Sequence, residues 1–149
     1  MASFEREEFD CVRAEGMTQR MRLPFSHPVM GDFKKLKVWQ KAHPMAVAIH
    51  KATGHIRGSH HSHLRAQLVR AAFSVPANIV EGSGKQSQRE LCRFLRIALN
   101  SANECEYHLI AARDTDALSN DEVAVLIDQV VEVRKMLFGL IEAIEKNSD

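Results

Sequence analysis

Lys85, Arg89, Arg93 and Arg96 recur at steps of four, four and three. On a helix they fall within about 80° of one another. Leu91, Phe94, Leu95, Ala98, Ala102, Cys105 and Leu109 fall on roughly the opposite side. A line of cations turned away from an apolar face suits a phosphate backbone. The same pattern describes a plain solvated helix face. Tyr107 is the one aromatic nearby that could stack on a base. Phosphate contact is therefore expected, and sequence-specific base reading is not.

A second polar line precedes it. Gln67, Arg70, Ser74, Asn78 and Glu81 share one side of a helical segment. Leu64, Leu68, Ala71, Ala72, Val75 and Ile79 share one apolar face, and Val69, Phe73, Pro76 and Val80 share another. One bundle core needs a single apolar face. The second face predicts a further contact, most simply with another copy of the chain, through Val69, Phe73, Pro76 and Val80. A central helix with one broad core face would look the same. The polar line is then half-buried and needs partners. Arg70 and Glu81 can be matched by Glu104 or Arg93, and Asn78 can satisfy backbone groups near Pro76. The seam is expected to be structural, not catalytic.

Other chemistry is thin. His60, His61 and His63 crowd together in "HHSH", with His50 and His55 upstream, but the spacing fits no standard metal site. Glu104 and His108 sit four apart, whereas a di-iron bundle needs paired Glu-x-x-His motifs. "EGSGK" follows a helix and lacks the phosphate-loop spacing. No nucleophile motif is present. No metal, cofactor, small-molecule substrate or catalytic residue is expected.

Charge is unevenly distributed. Met30 to Arg113 holds 13 Lys and Arg against 5 Asp and Glu, a net of +8. Asp114 to Asp149 holds 3 against 9, a net of −6, and the first 29 residues carry −1. A basic middle and an acidic end suit polyanion binding, contact between subunits, or neighbouring helices that neutralise each other.

The elements that must position these residues follow from periodicity. Trp39, Ala42, Ala46, Ile49 and Thr53 mark helix one, about Leu36 to Ala52, with Pro44 inside it and Gly54 at its end. Helix two runs from Ser62 or His63 to Glu81. Helix three opens at "SQRE", where Ser87 and Glu90 form an expected capping box, and reaches Arg113. "SNDE" repeats the device with Ser119 and Glu122. Helix four carries the stripe Val123, Leu126, Ile127, Val130, Val133, Leu137, Leu140, Ile141 and Ile144. Four amphipathic helices with short connections predict an all-α, antiparallel up-down-up-down four-helix bundle over residues 33–146. Residues 1–32 show no sustained period and read as a poorly ordered extension, with Met30 an alternative start. Their acidic, apolar-poor beginning does not read as a signal peptide. No apolar run approaches the roughly 20 residues of a membrane span. Cys11, Cys92 and Cys105 form no close-spaced pair, which places the chain in a reducing cytoplasm.

Three runs together, "FKKLKVWQKAH", "QLVRAAFSVPANIVEGSGKQSQRELCRFLRIALNSANECEYHLIAA" and "VRKMLFGLIEAI", resemble the four helix bundle proteins named after the 23S rRNA intervening sequence. The most specific positions are Gln67, Arg70, Ala71, Ser74, Asn78, Ile79, Glu81 and Gly82, then Phe94, Leu95, Ala98, Ser101, Glu104 and Glu106. The resemblance implies a cytosolic bacterial bundle that assembles as a barrel-like homopentamer and has no enzymatic activity. A related branch, the accessory protein of diversity-generating retroelements, implies nucleic acid or a reverse-transcriptase-type protein as partner. The chain departs from the family pattern before Met30, at Pro44 and at "GSHHSH". Two functions are thus expected. One is an oligomer that binds RNA through its basic surface. The other is a protein scaffold in which basic helix three meets acidic helix four between subunits.

Overall fold

A computed structural model describes residues 32–147. The expected extension therefore lies outside the described residues, apart from Asp32. Four α-helices follow in order: α1 Lys37–Thr53, α2 Ser62–Ser83, α3 Gln88–Asp114 and α4 Asn120–Lys146. Short 3-10 turns, Phe33–Lys35 and Ser59–His61, precede α1 and α2. The described residues contain no strand.

Each helix packs against its sequence neighbours, and α1 also packs against α4. Among the described residues, no diagonal pair of helices comes as close as these neighbours. This is the contact ring of a four-helix bundle. The cross-contacts give the register. Arg70 of α2 meets Glu104 of α3, and Ser74 meets Ser101. Arg96 of α3 meets Glu145 of α4, and Glu106 meets Arg134. Lys41 of α1 meets Glu132 of α4 at 2.9 Å. In the pairs between α2 and α3, and in those between α3 and α4, the residue numbers rise on one helix as they fall on the other.

The core alternates large and small. Met45, Ile49, Leu68, Ile79, Leu95, Leu109 and Leu137 are fully buried, with Ala42, Ala46, Ala71, Ala72, Ala98 and Ala102 between them. Small residues let helices approach closely, and each buried Leu or Ile contributes about 1.5–3 kcal/mol. At Gly82 the approach between α2 and α3 is tight. A Cβ added to Gly82 would stand 3.0 Å from Phe94 Cβ and 3.2 Å from Leu91 Cδ1.

The helix ends are set by local chemistry. Ser119 and Glu122 form the complete capping box expected for α4. At α3 half of the expected box is present. Ser87 Oγ accepts from the Glu90 N–H at 3.2 Å, while the Glu90 carboxylate takes the Ser87 hydroxyl, not its backbone N–H. The C-terminus of α3 closes as a Schellman motif. The Ala117 N–H donates to the Ala112 carbonyl at 2.8 Å and the Asp116 N–H to the Arg113 carbonyl at 3.0 Å. The left-handed position falls on Asp116, at φ 56°.

Both prolines stay inside their helices. Pro44 and Gln40, whose carbonyl loses its usual donor, lie on the exposed side of α1, where water can replace the bond. Pro76 is buried within α2.

Candidate nucleic-acid interface

The basic line is built mostly on the outer side of α3, opposite its core residues Leu91, Leu95, Ala98, Ala102, Cys105 and Leu109. The period that buries those side chains puts Arg89, Arg93 and Arg96 in solvent, and all three are exposed. Their electrostatic situations differ. The Arg89 side chain makes no ion pair or hydrogen bond among the described residues. Arg93 has no carboxylate partner among the described residues and lies over the Phe94 ring at 4.6 Å. Arg96 is bound to Glu145 of α4, whose carboxylate pushes the guanidinium's pKa further up.

Lys85 departs from the expected line. It lies in the α2–α3 connection, outside α3. Its ammonium is 2.6 Å from Glu81 and 5.0 Å from the Phe94 ring centre. The spacing of four continued across a helix break, so a single wheel did not apply. The free part of the line is Arg89 and Arg93.

The polar seam divides into two networks. Arg70 donates to Gln67 at 3.1 Å and to Glu104, while His108 lies 3.4 Å from the same Glu104 oxygen. Ser74 and Ser101 hydroxyls are 2.8 Å apart, and the Asn78 amide donates to the Ser74 carbonyl at 2.8 Å and hydroxyl at 3.0 Å. Asn78 thus serves a backbone carbonyl beside Pro76. Glu81 stands apart, held by Lys85 and not by Arg93. No buried side-chain polar atom among the described residues lacks a partner.

The second apolar face of α2 is partly used within the protomer. Pro76, expected on that face, is buried within the protomer. Phe73 meets His50 of α1, ring centres 5.9 Å apart. Val69 and Val80 are half-buried. More exposed apolar side chains lie elsewhere, at Val125 and Phe138 of α4.

The remaining titratable groups explain structure. His55, between α1 and α2, lies 2.6 Å from Glu122. Hydrogen bonds from the Ser119 side chain, then from His55 and the Ser119 backbone, hold the Glu122 carboxyl at about 2. Burial pushes the Cys105 thiol up to about 12 and raises Cys92, so neither is an activated nucleophile. His60 and His61 pack on each other at 4.0 Å, under Gly58 at φ 87°. No group of three or more His, Cys, Asp or Glu residues able to hold a metal occurs among the described residues. None of their helices is long and apolar enough to cross a membrane.

Residues 34–139 match the model of the 23S rRNA-intervening sequence protein family. The chain belongs to that family. A solved relative is a protein with unknown function from the S23 ribosomal protein family of Bacteroides thetaiotaomicron. It is 28% identical and superposes with a TM-score of 0.66, covering 70% of this chain and 97% of its own. The superposed share is close to the family match, so the bundle is what the two proteins have in common. No curated protein is similar to this chain.

Three features escaped sequence reading: Arg134–Glu106, Arg96–Glu145 within one chain, and His55–Glu122. Each joins residues 28 to 67 positions apart. Opposite charges were visible, but the helix register that pairs them was not.

Proposed function

We propose that this family member is a non-catalytic, self-associating, up-down-up-down helical bundle that binds RNA through the outer face of α3. One observation carries the reading. Arg89 and Arg93 stand exposed, one turn apart, with no carboxylate partner among the described residues. Unpaired guanidiniums on a helix surface are available to phosphates, and each contact releases condensed counterions. The contact registers along neighbouring helices support the up-down-up-down course. Exposed Phe73, Val125 and Phe138 support self-association, and the resemblance supports a homopentamer. Repetition around such an assembly would multiply the two free cations into a positive surface.

The scaffold reading has less behind it. Arg96 and Arg134 already meet Glu145 and Glu106 within one chain. Less opposite charge then remains on α3 and α4 for contact between subunits.

The test is a salt-titrated binding isotherm with structured RNA. The logarithm of the affinity should fall linearly with the logarithm of salt concentration, and R89E/R93E should reduce both affinity and slope. Light scattering should show the variant still assembled. Affinity indifferent to salt and to the double reversal would refute the interface. Dissociation of the variant into monomers would favour the scaffold.

A further inference from the structure

The outer line of α3 does not stop at Arg96. Asn100, Asn103 and Tyr107 follow at steps of four, three and four, on the same side of the helix. All are exposed, and Tyr107, the chain's one tyrosine, is 65% exposed. Arg89 to Tyr107 spans roughly 27 Å at about 1.5 Å per residue. The line therefore offers two unpaired guanidiniums at one end, two carboxamides in the middle and an uncovered ring at the other.

Three carboxylates on its flanks are neutralised: Glu104 is occupied by Arg70 and His108, Glu106 by Arg134, and Glu145 by Arg96. Glu90, beside Arg89, takes the Ser87 hydroxyl and no cation among the described residues. The Tyr107 ring lies beside the half-buried His108 ring, centres 5.3 Å apart, which limits its freedom. A restrained, solvent-facing aromatic loses little entropy when a flat group stacks on it.

We infer that this line binds a single-stranded stretch of RNA, with Tyr107 stacking on an unpaired base while Arg89 and Arg93 hold phosphates. The inference rests on the RNA-binding reading above and adds the strandedness of the ligand. A duplex offers phosphates to the arginines, but its bases are stacked on each other and present no face to Tyr107. An unpaired strand offers both. Stacking tolerates any base, because every base has a π-face. Asn100 and Asn103 can add hydrogen bonds to base edges or ribose hydroxyls.

The experiment titrates the full chain with a fluorescein-labelled oligouridylate and with an RNA duplex of equal length. Tyr107→Ala should weaken oligouridylate binding about 5- to 150-fold and leave duplex binding unchanged. Tyr107→Phe should retain wild-type affinity, since the ring and not the hydroxyl does the stacking. Wild-type oligouridylate affinity in Tyr107→Ala, with R89E/R93E still defective, would overturn the stacking role and leave the RNA reading standing. Equal losses on single strand and duplex would overturn the strandedness. A Tyr107→Ala variant that dissociates on light scattering but binds RNA normally would make Tyr107 an assembly contact instead. No RNA binding by the wild type would overturn both this inference and the reading beneath it.

Discussion

The Ser74 hydroxyl of α2 and the Ser101 hydroxyl of α3 lie 2.8 Å apart, and the Asn78 amide donates to Ser74 as well. Two hydroxyls facing each other between helices meet in only one register. A slip by one turn would set Ser101 opposite Arg70 or Asn78 and break the hydroxyl pair. The pair therefore selects register as much as it stabilises. Ser74→Ala and Ser101→Ala are expected to couple by about 0.5–1.5 kcal/mol in a double-mutant cycle, measured by urea unfolding. Asn78→Leu should cost about 1–3 kcal/mol, because it removes the donor to both Ser74 oxygens. Strict additivity of the two serine substitutions would show that the hydroxyls do not interact.

Asp116 closes α3 in a left-handed conformation at φ 56°. Glycine adopts that region without a Cβ clash. Asp116→Gly should therefore stabilise the protein by about 1 kcal/mol, seen as a higher urea midpoint at unchanged slope. A neutral or lower midpoint would mean that the aspartate side chain compensates locally.

The Glu122 carboxyl has an ordinary value of 4.5 and is held at about 2 in the folded chain. The unfolded state therefore takes up its proton first as pH falls. This contribution is complete above about pH 4.5 and is lost progressively as pH drops towards 2. Glu122→Gln should flatten the stability curve across that window, measured by urea melts at stepped pH. An unchanged acid slope in the variant would assign acid sensitivity to other carboxylates.

Burial raises both described thiols, Cys105 to about 12. In a Cys11→Ser background, iodoacetamide at pH 8 should label neither Cys92 nor Cys105 until urea unfolds the chain, as intact-mass spectrometry would show. Rapid labelling of the native variant would mean that the α3 face opens locally.

Helix existence, helix faces and most caps were legible in the chain. They depend on spacing within one turn or a few, such as Ser119 to Glu122 or Leu91 to Leu95 to Ala98. The second apolar face of α2 was legible too, but its occupant was not: Pro76 turned out to be covered by the protomer's own packing. The basic line was legible as spacing and misread at Lys85, because the helix break at Gly84 to Ser87 resets the wheel. Which cations remained free was not legible at all.

By itself the sequence determined four amphipathic helices, their ends, and the sides that must leave water. Those properties arise from interactions along a single helix, and neighbours in the chain carry them. Only the tertiary structure decided the charges. Arg96 lies 49 positions from Glu145 and Arg134 lies 28 from Glu106. Packing register brings those partners together, and the same register leaves Arg89, Arg93 and Tyr107 facing solvent.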